Sequence, residues 1–150
     1  MDDEVLVFDE LRKVMERVAI QTATTLEVMD VTQIDGYPFN QPDDVMWVHF
    51  QYAMGDTIAA EVGQGDRTDG QHLTVGLVEF NILWPENTPK GPPTRLADRI
   101  RKMWTLKSHI VPSVGQVWIG GMGQKNTTAI APKGWHRITC DAPLHFRHRG

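Results

Sequence analysis

Residues 72–84 alternate between apolar and polar side chains, and that alternation constrains this chain more than any other stretch. Val78, Phe80, Ile82 and Trp84 point one way while Glu79 and Asn81 point the other, because successive side chains on a strand leave opposite faces. Such a strand is packed on one face and open on the other. Whatever else the chain forms must therefore cover one side of a sheet.

Two segments have the right pattern to do so. Val7, Leu11, Val14 and Val18, with Phe8 and Met15 beside them, draw an apolar stripe at helical spacing. Asp2, Asp3 and Glu4 lie where acidic groups favour the positive end of a helix dipole, and the pattern predicts a helix over residues 4–20. Leu96, Ala97, Ile100, Met103 and Trp104 repeat the stripe after a start supplied by Gly91, Pro92, Pro93 and Thr94.

Further strands are expected over residues 45–54, where Trp47, Val48, Phe50 and Tyr52 cluster, and over 116–121 and 135–147. Gly55-Asp56 predicts a tight turn, with a return strand over 57–62. The β-branched residues Thr24, Thr25, Val28 and Val31 predict a short strand near 26–31. Residues 37–42 form a proline-rich connection, and 63–70 and 121–134 are expected as polar, glycine-bearing loops. On the last strand Ile138, Cys140, Ala142, Leu144 and Phe146 share a face, and Pro143 predicts an edge position or a bulge. Residues 1–150 thus compose a single domain of the α+β class. It is a mainly antiparallel (mixed) sheet with two amphipathic helices packed on one face.

Composition narrows the function classes. The chain has 41% hydrophobic and 23% charged residues with a net charge of −4, the profile of a soluble globular protein rather than a disordered one or a general nucleic-acid binder. The acidic N-terminus is not a secretory signal, and no apolar run approaches the ~20 residues of a membrane span. Synthesis in a reducing cytoplasm and no membrane partner are expected. Cys140, the single cysteine, has no disulfide partner within the chain.

A search for chemistry finds no foothold. Cys140 falls on the apolar face of a strand, where a structural thiol belongs. Ser108 and Ser113 stand in no nucleophile motif, and His49, His72, His109, His136, His145 and His148 are scattered without metal-ligand spacing. His145 and His148 point to opposite faces of one strand. Residues 120–127 are glycine-rich with Lys125 but fail the phosphate-loop pattern, because Gln124 precedes and Asn126 follows that lysine. Gly63-Gln64-Gly65 leads into a polar loop rather than a helix, so a dinucleotide fingerprint fails as well. No catalytic, cofactor-binding or metal residues are assigned. The basic ending His145-Phe146-Arg147-His148-Arg149 is open to three readings: a phosphate contact, a solvated terminal strand or a contact between subunits. Trp47, Trp118 and Trp135 lie on strands with large residues on both faces, which marks either an interface or positions under long loops.

Several motifs together resemble the tail terminator family of phages with long non-contractile tails. They are Tyr37-Pro38-Phe39-Asn40-Gln41-Pro42, Trp47-Val48 opening a strand, Gly55, a hairpin ending at Gly63, and Gly76-Leu77-Val78-Glu79-Phe80-Asn81-Ile82. Leu96-Ala97-Asp98-Arg99-Ile100 in the second helix and Gly134-Trp135-His136-Arg137-Ile138 opening the last strand complete the set. The stretch 22–36 is longer than that family leads one to expect. The resemblance implies a homo-oligomer, a hexameric ring that caps the tail tube, touches the major tail tube protein and presents a surface to head-completion proteins. DNA would pass through the lumen without specific binding, and the site of action would be the tail–neck junction of the virion. A head-completion or neck connector protein is the alternative, followed by a nucleic-acid-binding accessory protein.

Overall fold

In the computed structural model, which describes residues 3–35, 41–59 and 71–149, both predicted helices are present. Helix α1 spans Asp3–Thr25, five residues beyond the expected end. Val7, Leu11, Val14, Met15 and Val18 are buried, and Ala19, Thr22 and Ala23 continue the stripe. Thr24, one of the residues that favoured a strand, bonds back into the helix instead, as does Thr22. The Thr22 hydroxyl donates to the Val18 carbonyl at 2.8 Å, and the Thr24 hydroxyl donates to that of Ile20 at 2.9 Å.

The helix then stops in a Schellman turn. Glu27 is left-handed (φ 59°), its N–H bonds the Thr24 carbonyl at 3.2 Å, and the Val28 N–H bonds that of Ala23 at 2.9 Å. The strand expected near 26–31 is therefore displaced. A 3-10 turn at Met29–Val31 leads into strand β1, Thr32–Ile34.

Six more strands follow: β2 (Trp47–Ala59), β3 (Gln71–Pro85), β4 (Ser108–Val111), β5 (Gly115–Ile119), β6 (Gly123–Asn126) and β7 (Trp135–Arg149). Helix α2, Gly91–Trp104, lies between β3 and β4, with proline in its first turn and Arg101 and Lys102 in its last. The sheet order is β1-β2-β3-β7-β5-β4, with β6 on the same side of β7 as β5. Only β1–β2 is parallel, so the sheet is mixed and mainly antiparallel.

The expected turn at Gly55-Asp56 is a bulge within a continuous strand. Met54 pairs with Gly76 and Thr57 with Thr74, leaving Gly55 and Asp56 opposite Val75 alone. Residues 57–59 of the predicted return strand continue β2, and residues 60–62, the 63–70 loop and residues 36–40 lie outside the described residues.

Pro143 is neither at an edge nor in a bulge, for β7 pairs on both sides and its register with β3 is unbroken from Gln71↔Arg149 to Pro85↔Trp135. The Pro143 carbonyl accepts from the Gly120 N–H at 2.9 Å, on the side where β5 ends at Leu144 and β6 begins at Asp141. A residue's N–H and C=O leave a strand on the same edge. The missing donor of Pro143 therefore falls in the seam between two short strands, and the Gly120 carbonyl it would have met accepts from the Leu106 N–H instead, at 3.3 Å.

The core fills the space between both helices and one sheet face. Phe50, Phe80 and Trp104 meet with ring centroids 4.9–5.6 Å apart. The Trp104 indole N–H donates to the Thr22 hydroxyl at 2.9 Å, which links α2 to α1 inside the core. Leu96, Ala97 and Ile100 pack from α2, and Val78, Ile82, Cys140, Leu144 and Phe146 from the sheet.

The seam makes a specific demand. A Cβ at Gly120 would lie 2.7 Å from the Pro143 ring, whereas one at Gly121 would meet nothing within 4 Å. Gly120→Ala should cost about 1–3 kcal/mol in chemical denaturation, and Gly121→Ala should stay within about 0.5 kcal/mol of the parent. Equal effects at both positions would contradict the seam.

Candidate interaction surface

The sheet face turned away from the helices divides into two halves. Towards the start of β2 and β7 it is closed by a polar network. Asn81 and Thr139 are only 3% and 2% exposed. The Asn81 side-chain oxygen accepts from Arg137 Nη2 and Nε, at 2.8 and 3.2 Å, and from the Thr139 hydroxyl at 2.8 Å. Its amide nitrogen donates to Glu79 at 3.2 Å, and Gln51 donates to the same carboxylate. Thr127 joins through Thr139 at 2.8 Å, and the 3-10 turn Thr128–Ile130 is pinned by the Arg137 N–H bonding Thr128 at 3.1 Å. Every buried polar group named here has a partner, so this half is sealed. The expected open loop over 121–134 is accordingly more ordered than predicted, because it contains β6 and this turn.

The other half is bare. Val75 and Leu77 on β3 are 42% and 44% exposed, Trp118 on β5 is 39% exposed, and Ile110 on β4 is 72% exposed. Register makes them neighbours: Val75 pairs with His145 and His145 with Trp118, while Leu77 pairs with Pro143. Ile110 sits opposite Gln116, which pairs with Arg147. Apolar side chains so contiguous on a small domain mark a surface that meets a partner. The three tryptophans thus have separate environments: Trp47 is buried, Trp135 is half-buried and Trp118 belongs to the bare patch.

The histidines distribute over distinct surroundings. His49 Nε2 meets Asp35 at 2.8 Å, His136 stacks on Trp84 at 5.3 Å, and His145 is exposed on the outer face. The β3–β7 register, which sequence spacing does not reveal, brings His72 against His148 at 5.9 Å. His148 Nδ1 faces the Arg149 carbonyl at 3.0 Å and so donates, while its Nε2 lies 2.8 Å from the Thr74 hydroxyl. Thr57 extends this chain to Thr74 at 2.5 Å. Burial, and secondarily Arg17, lowers the His109 pKa. Among the described residues no group of three His, Cys, Asp or Glu is placed to hold a metal ion. No described helix is long and apolar enough to cross a membrane.

Cys140 is fully buried beneath α2, its thiol 4.0 Å from the Ala97 carbonyl, and burial pushes its pKa up to about 12. It should resist thiol reagents in the native protein and label only on unfolding. Native stability should be insensitive to this group below pH 9. It should fall between about pH 9 and 12, where the unfolded thiol ionises and the buried one does not. Rapid native labelling at neutral pH would contradict the placement.

No protein-family model matches the chain, and no curated protein matches it. Among solved structures, one chain known only by an identifier superposes with a TM-score of 0.68 over 92% of this chain and 94% of its own length, at 12% identity. At that identity the likeness shows a shared fold alone.

Proposed function

We propose that the chain is a structural subunit of a phage virion. Copies close into a ring at the tail–neck junction, cap the tail tube, end its polymerisation and offer a docking surface to head-completion proteins. The observation that carries this reading is the bare apolar half of the sheet, Val75, Leu77, Trp118 and Ile110, on an otherwise well-packed domain. A lone subunit gains nothing from leaving such a patch in water, whereas a subunit built to be covered by neighbours does. The motif resemblance from Tyr37 to Ile138 supplies the kind of assembly.

The reading assigns the chain no catalytic step. DNA would cross the ring lumen without being held, in keeping with a net charge of −4. The direct test is electron microscopy of particles from a phage that lacks this gene product, with binding of the purified protein to tail tube subunits alongside. Abnormally long tails and tube binding are expected. Tails of normal length beside filled heads, without tube binding, would move the protein to a head-completion role.

A further inference from the structure

Strand β4 ends the sheet, pairs only with β5, and has a second edge that no described strand covers. Register decides which groups lie on that edge. The Lys107 carbonyl accepts from the Ile119 N–H at 2.8 Å, so Lys107 turns its backbone towards β5. Bonding direction alternates along an antiparallel strand, so His109 and Val111 also turn to β5, while Ser108 and Ile110 turn away. The N–H and carbonyl of both Ser108 and Ile110 therefore face outward, and no described group bonds them. The edge has definite ends. Leu106, left-handed (φ 56°) and 77% exposed, precedes it, and Pro112, which has no N–H, follows it. The extended backbone of Ser108–Val111 remains, enough for one short added strand.

The surroundings of this edge are cationic. Helix α1 packs on β4, where Arg17 lies close enough to His109 to add to the effect of burial in lowering its pKa. Lys107 is exposed where the chain enters β4, and Ile110 and Arg149 line one hollow at the other end. Among the described residues Arg17, Lys107 and Arg149 make no ion pair. The described acidic side chains of α1 are engaged elsewhere: Asp9 and Glu16 act on Tyr52 over β2, and Glu10 bonds Lys13 at 2.9 Å. The one acid after residue 98 is Asp141, which meets Lys125 at 3.2 Å. Like charge opposes the pairing of two such edges with each other and favours an acidic strand.

We propose that the free edge of β4 binds an extended acidic segment of another protein, which adds a strand beside Ser108–Val111. Backbone bonds to Ser108 and Ile110 supply affinity, and the alternation of side chains supplies specificity. Residues directly opposite each other share a sheet face. His109 shares the core side with the buried Val117, so the segment residue opposite His109 points towards α1 and meets Arg17. An acid fits there. Ile110 is on the other face and 72% exposed, so the residue opposite it is apolar. Acidic and apolar side chains thus alternate along the partner. The contact runs along a strand edge and does not depend on copies closing into a ring.

A fluorescently labelled peptide of alternating glutamate and valine, titrated with the full chain at about 100 mM salt and followed by anisotropy, tests this. It should bind, and a lysine–valine peptide should not. Ser108→Pro removes an outward N–H and leaves the β5 ladder intact, so it should melt within a few degrees of the parent yet bind at least about tenfold more weakly. Ser108→Ala keeps that N–H and should bind like the parent. Arg17→Glu with Lys107→Glu, both at exposed positions, should also lose at least about tenfold, because like charges then face each other. Equal binding by the parent and Ser108→Pro, or no binding by the parent, overturns the proposal and leaves the ring reading untouched. Binding of a labelled single-stranded oligonucleotide in place of the peptide, lost in Arg17→Glu with Lys107→Glu, assigns the cations to nucleic acid. Self-association that Ser108→Pro abolishes, without peptide binding, assigns the edge to a second copy. Either result overturns the proposal too.

Discussion

The fifteen-residue pairing of β3 with β7 is the constraint on which the rest of this structure depends. It joins the middle of the chain to its end, with Gln71 opposite Arg149 and Pro85 opposite Trp135. Because side chains alternate, this single register decides what faces the helices and what faces away. Val78, Phe80 and Ile82 fall beside Ala142, Cys140 and Ile138 on the core side, while Val75 and Leu77 fall beside His145 and Pro143 on the outside. A slip by one residue would turn the core outward. The same ladder places the N-terminal strands on one side and the C-terminal strands on the other.

The outer face shows two physical outcomes of one geometry. Where strands carry Asn81, Glu79, Gln51, Thr139 and Arg137, buried polar groups satisfy one another and need nothing further. Where they carry Val75, Leu77 and Trp118, no described residue covers them and the apolar area stays in contact with water. Both helices are committed to the opposite face, joined there through Trp104 and Thr22. Among the described residues nothing covers the bare half, which leaves it as a surface for a partner.

Much of this was legible in the sequence. The alternation of residues 72–84, the two apolar helical stripes and the burial of Cys140 follow from periodicity, and they suffice for a helix-covered mixed sheet. The misreadings have physical causes. Thr24 and Thr25 have strand-favouring shapes, but helix α1 runs through both; the Thr24 hydroxyl bonds the Ile20 carbonyl, and the preceding turn is held in the core by the Trp104 bond to Thr22. Gly55-Asp56 has turn chemistry that a bulge uses equally well. Strands β4 and β6 have four residues each, too few to show a period, and β6 is polar throughout. The place of Pro143 depended on a seam between two strands that only the assembled sheet reveals.

The central claim is that the spare apolar sheet surface is completed by further copies of the same chain. Native mass spectrometry over a range of protein concentration and ionic strength addresses it most directly. A single closed species of fixed subunit number, appearing as concentration rises, is the predicted result. A subunit that stays monomeric at every concentration and salt, or one that grows without limit, would contradict it.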